Sequence, residues 1–109
     1  MYIIDIHSNK ETIEIAKYEL DQGIIIARKD KDKLLCAIVG YGSSSNKHRI
    51  KTAILEYLSE LKDKNYIKDY ILGSDLDIFS SKYQTFKYGF RIPEEEKKTK
   101  NPGAIYVIL

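Results

Sequence analysis

The sequence predicts an α/β (α+β) domain, a single two-layer unit in which a four-stranded mixed sheet is backed by two main helices in the order β-α-β-α-β-(insertion)-β. Three observations carry this expectation. Two long segments, near residues 10–28 and 47–64, repeat apolar side chains at helical spacing. Leu34 to Val39 is continuously apolar, as expected of a strand buried on both faces, and a second apolar run, Ala104 to Leu109, closes the sequence. At 109 residues, 43% hydrophobic and 31% charged, the chain suits one domain with a core of modest size.

The first element is a strand at Ile3-Ile4-Asp5-Ile6-His7. Side chains alternate along a strand, so Ile4 and Ile6 share one side while Ile3, Asp5 and His7 share the other. Ser8 and Asn9 are good N-caps for the helix that follows, and Glu11 and Glu14 suit its positive end. Ile13, Ala16, Leu20, Ile24 and Ala27, with the stem of Lys17, form its apolar stripe, and Gly23 is a weak point within it. Lys29 to Lys33 reads as a solvated turn. Leu34 to Val39 then forms a strand that lies parallel to the first through a right-handed crossover, so the carboxyl ends of the two strands meet.

Gly40 to Asn46 is a glycine- and hydroxyl-rich loop that opens the second helix, whose stripe is Ile50, Ala53, Ile54, Tyr57, Leu58 and Leu61. A third strand is expected at Tyr66 to Leu72. The stretch from about 73 to 100 reads as an irregular insertion, with Tyr83, Phe86, Tyr88 and Phe90 among Lys82, Lys87 and Arg91, and a short helix starting at Pro93.

The net charge of +2 is too small to argue a nucleic-acid partner by itself. Cys36, the only cysteine, excludes a disulfide within the chain and reads as a small buried hydrophobe. The first residues lack the features of a secretory leader, and no apolar run reaches the roughly 18 residues of a spanning helix. A cytoplasmic protein without membrane attachment is expected.

Three constellations are candidates for function. Asp5 and His7 lie at the carboxyl end of strand one, where open α/β sheets bind ligands. A carboxylate beside an imidazole can orient it, raise its basicity or bind a metal with it. The ordinary alternative is that Asp5 caps the next helix or pairs with a lysine. Next, Gly40, Tyr41, Gly42, Ser43 and Ser44 precede a helix start crowded with Lys47, His48, Arg49 and Lys51, where backbone amides and the helix dipole suit a phosphate. The loop fits neither a Walker A motif nor a dinucleotide fingerprint, and a loop with good caps is its plain reading. Last, the interleaved rings and cations of the insertion suit stacking on unpaired bases, but Phe86 and Phe90 sit four residues apart, as core-facing residues on a short helix would, and core packing or a homodimer contact is the preferred reading.

Taken in order, Ile4-Asp5-Ile6-His7, the helix, Ala37 to Gly42, Ile50 to Leu58 and Asn101 to Leu109 resemble the Smr (small MutS-related) domain. The resemblance covers the whole chain, residues 1–109, except roughly 73–100. That family shows a Leu-Asp-Leu-His-Gly segment, a His-Gly-x-Gly loop, a helix with an arginine before a Tyr-Leu pair, and a glycine-led last strand. The resemblance implies a sheet backed by two helices, nucleic-acid binding, and in many members endonuclease activity on DNA or RNA. By position, Asp5 and His7 match the Asp-x-His pair, Gly40 and Gly42 the loop glycines, and Lys51 the helix arginine. Val39 stands in place of the loop histidine and Ser8 in place of the glycine after His7. A site of this kind would use His7 as general acid or base and Asp5 to fix its tautomer or to share a divalent metal such as Mg or Mn. A nucleic-acid-binding or protein-interaction module that cuts nothing is the alternative.

Overall fold

The computed structural model describes residues 1–6, 12–40 and 45–109, and for 45–47 the backbone only. The chain forms β1 (Tyr2–Asp5), α1 (Ile13–Lys29), β2 (Leu34–Ile38), α2 (Ser45–Asp63), β3 (Asp69–Leu72), α3 (Ser81–Thr85), α4 (Glu94–Thr99) and β4 (Ala104–Ile108), with short 3-10 turns at Gly73–Asp75 and Gly89–Arg91. The sheet order is β1-β2-β4-β3, with β1 parallel to β2 and β4 antiparallel to both of its neighbours. This is the expected α+β domain with a four-stranded mixed sheet and two main helices. No helix among the described residues is long and apolar enough to cross a membrane.

The period-2 alternation of the strands divides the core in two. Leu35, Ala37, Val39, Ile105 and Val107 face α1 and α2, meeting Ala16, Leu20, Ile24, Ile54 and Leu58 in one cluster. Leu34, Cys36, Ala104, Tyr106 and Ile108 face the other way and would be wet without a cover. Residues 73–99 supply it, with Leu76 and Ile92 buried against them and Tyr83, Phe86 and Tyr88 packed at the margin. The insertion is thus a lid over the second face of the sheet. Burial pushes the Cys36 thiol up to about 11, with the charge of Glu96 adding to the effect, and it stands as the small core residue expected.

Local differences from the sequence-based expectations have local causes. Helix α1 starts at Ile13 and not near residue 10, because Thr12 is the cap: its Oγ1 accepts from the Ile15 N–H at 3.2 Å. Ser8, Asn9 and Glu11 lie outside the described residues. Strand β3 is shorter than Tyr66 to Leu72, because the amides of Tyr66 and Ile67 are turned to the Leu61 carbonyl at the end of α2. Phe86 and Phe90 do not share a core-facing helix. Phe86 packs toward the sheet, while Phe90 sits in a 3-10 turn and is 78% exposed.

Gly23 is less a weak point than a point of contact. A Cβ there would stand 3.0 Å from the Ile4 side chain, so the bare backbone lets α1 lie close on β1. Between the helices, the Tyr57 hydroxyl donates to Asp21 Oδ1 at 2.7 Å, the Lys17 ammonium lies 5.2 Å from the Tyr57 ring centre, and the Arg28 guanidinium stacks 4.4 Å from that of Tyr66.

Three outcomes follow from this packing. Gly73→Ala should lower the urea-unfolding free energy by about 1–3 kcal/mol or more, since its Cβ would meet the Asn101 carbonyl oxygen at 2.0 Å. Gly23→Ala, which meets a side chain and gains helix propensity of about 1 kcal/mol, should stay within about 1 kcal/mol of wild type. The Tyr57 hydroxyl is pushed up to about 12, by burial first and then by its bond to Asp21. The folded state therefore holds this proton more tightly than the unfolded chain. Its contribution is complete below the ordinary tyrosine value of about 10 and is lost as pH rises from there through about 12. Tyr57→Phe should flatten that alkaline fall, measured by denaturant melts across the range.

Candidate functional site

The parallel pairing of β1 with β2 fixes where the first candidate residues stand. Asp5 is in register with Ile38, and the Ile6 amide donates to the Ile38 carbonyl at 2.8 Å. Both strands therefore end at one edge of the molecule, and Gly40 follows two residues beyond the neighbour of Asp5. Gly40 has φ = 77°, a left-handed conformation that costs a side chain about 1–2 kcal/mol. It is the turn that carries the chain from β2 toward α2.

The turn before β4 braces this corner. One carbonyl, that of Gly103, accepts from the Val39 amide at 2.7 Å and the Gly40 amide at 3.2 Å. The Gly103 amide is held by Asn101 Oδ1 at 2.9 Å, and a Cβ on Gly103 would stand 3.0 Å from the Gly40 carbonyl carbon. From α2, the Lys51 ammonium donates to the Pro102 carbonyl at 3.0 Å. The ends of β1 and β2, the first turns of α2 and the Asn101–Gly103 turn thus form one corner. Asn-Pro-Gly is a turn signature in sequence, but its partnership with Gly40 depends on β4 lying beside β2, which no local pattern discloses.

The start of α2 carries charge of one sign. The first turn of α2 holds no acidic residue, while His48 and Arg49 are exposed and Lys51 half-buried. Cations at the amino end of a helix oppose the helix dipole, an arrangement that an anion relieves. Asp5 is exposed and engages a neighbour of its own. It leaves β1 on the face opposite α1 and α2, because Tyr2 and Ile4 are the residues packed toward the helices. The alternation expected of Ile3, Asp5 and Ile4, Ile6 is therefore observed, and Asp5 lines a shallow groove beside α1 with Tyr18, Glu19 and Gln22.

Val39 is 1% exposed and part of the helix-side core. His7, Tyr41, Gly42, Ser43 and Ser44 lie outside the described residues, as does the side chain of Lys47. Among the described residues no three His, Cys, Asp or Glu side chains gather as metal ligands. Asp5 is the one described member of the expected metal pair.

No protein-family model, curated protein or solved structure matches this chain.

The corner's geometry sets an outcome for stability. Gly40→Ala should cost about 1–2 kcal/mol through its left-handed backbone, read as a lower midpoint in urea. Lys51→Met should cost less than about 1 kcal/mol, since its bond is partly solvated.

Proposed function

We propose that this chain is a nucleic-acid-binding domain of the Smr kind, and that it cleaves phosphodiester bonds at the corner where β1 and β2 end and α2 begins. The observation that supports the reading is that β1 and β2 end side by side, with Gly40 and Lys51 both tied to the Asn101–Gly103 turn and no acid in the first turn of α2. A phosphate group answers to each part. Backbone amides at the start of α2 and the neighbouring cations would hold its oxygens and stabilise the charge that grows on them during displacement.

In this reading His7 moves the proton, as base toward the attacking hydroxyl or as acid toward the leaving oxygen. Asp5 fixes the imidazole tautomer. With RNA the adjacent 2′-hydroxyl is the nucleophile; with DNA a water molecule is. A divalent ion such as Mg or Mn, if held by Asp5 and His7, would supply Lewis acidity. The described donors are too few to frame such a site, so no step is assigned to it.

One observation favours a second reading, in which the domain binds nucleic acid without cutting it. The side chain that replaces the family's loop histidine is apolar and buried in the core, so only the Asp5 and His7 pair is left for proton transfer.

Branched DNA and structured RNA, each incubated with and without chelator, separate the two. The first reading expects cleavage of one of them and a fall of about 100-fold to 10,000-fold in rate for Asp5→Ala, with affinity unchanged or slightly higher. Arg49→Ala should weaken binding and lower the slope of log affinity against log salt by about one. Binding with no product from wild type supports the second reading, and absence of binding to both substrates rejects the two together.

A further inference from the structure

We propose that two copies of this chain associate through β1, joining their sheets edge to edge in an antiparallel pair with the two α1 helices side by side. Strand β1 ends the sheet, with β2 as its only partner among the described residues. Because the Ile6 amide points to Ile38, the backbone groups of Tyr2 and Ile4 also face β2, and those of Ile3 face outward. An outward row of amides and carbonyls on a sheet edge is a template for another strand.

Along this short edge Asp5 is the one charged side chain, and the rest are apolar or aromatic. Ile3 is 59% exposed on one face. On the other face, the flank of α1 beside β1 shows Ile15, Tyr18, Gln22 and Ile26, with Tyr18 at 63% and Ile26 at 41% exposure. These residues recur every three or four positions, so they form one stripe parallel to the strand. A shallow groove of about 270 Å³ runs between the stripe and the strand, lined by Tyr2, Ile4, Tyr18 and Ile26 and by the acidic Asp5 and Glu19. Neither proline nor lysine stands in Tyr2–Asp5 to repel a partner strand.

Geometry selects a second copy as the occupant. Helix α1 packs on both β1 and β2, so its axis lies over the space between them. Pairing β1 with its two-fold mate at the ordinary strand spacing of about 4.8 Å brings the two α1 axes to about 10 Å, the distance at which helices pack. A two-fold axis through Ile3 lets the Ile3 amide and carbonyl of each copy bond those of the other and sets the exposed Ile3 side chains together. Running α1 antiparallel to its mate also places Glu19, near the amino end of the stripe, opposite Lys29 at the other end. The charges complement each other across the axis, as an isologous interface requires. A single extended peptide would meet the strand but leave the α1 stripe bare.

The experiment is the solution mass of the full chain from micromolar to submillimolar concentration, by light scattering or sedimentation. A dimer of twice 12.6 kDa is expected. Ile3→Pro removes an amide that faces outward, so the fold tolerates it while the edge pairing does not. It should raise the dissociation constant about tenfold or more with little change in melting temperature. Tyr18→Glu with Ile26→Glu, which leaves the strand intact, should do the same and serves if the proline variant fails to fold. A wild-type monomer at every concentration overturns the proposal and leaves the edge to a strand from another protein. A dimer that survives the surface double variant overturns it as well.

Discussion

One carbonyl oxygen ties the end of β2 to the turn that precedes β4. The Gly103 carbonyl takes both the Val39 and the Gly40 amide, and it does so only because β4 is inserted between β2 and β3, antiparallel to each. That insertion makes β2 and β4 the two central strands, each apolar on both faces, and it fastens Gly40, with its left-handed backbone, at the end of β2. Lys51 reaching back to Pro102 closes the same corner from the helix side. The corner is therefore built from segments far apart in sequence, the end of β1, the stretch from Gly40 into α2, and the Asn101–Gly103 turn.

The second consequence of two central apolar strands is the insertion. Tyr106, Cys36 and Ile108 need cover on the face away from the helices, and residues 73–99 provide it with Leu76, Ile92 and the rims of Tyr83, Phe86 and Tyr88. Tyr106 is 1% exposed, and its hydroxyl is raised by burial and bonds with Cys36 and Glu96. A segment that looks like an appendage in the sequence is thus part of the core. Its removal would expose an apolar sheet face, so it cannot be trimmed away as an independent module.

Much of this was legible beforehand, for physical reasons that differ by element. The apolar runs of β2 and β4 and the stripes of α1 and α2 follow from periodicity alone, and so does the division of Ile4 from Ile3 and Asp5. The continuous run Leu34 to Val39 also implies a second cover, because a strand apolar on both faces needs two and the pair of main helices supplies one. The order β1-β2-β4-β3 could not be read, because antiparallel insertion of a last strand is decided by long-range packing. Nor could the choice of Thr12 over Ser8 or Asn9 as cap, since each is a competent residue and Ile13 is the first side chain of the segment packed at the core. For the site, the residue types of Gly40, His48, Arg49 and Lys51 were visible, whereas the bracing by Asn101 and Gly103 depends on the same strand order.

The most direct measurement of the central claim is an amide chemical-shift titration of the folded chain with a structured RNA and with a branched DNA. The account expects the shifts to gather on Asp5, Ile6, Gly40, His48, Arg49 and Lys51 and on the Asn101–Gly103 turn that braces them. Shifts confined to the exposed Ile78, Phe79 and Phe90 of the insertion, or no shifts with either nucleic acid, would contradict it.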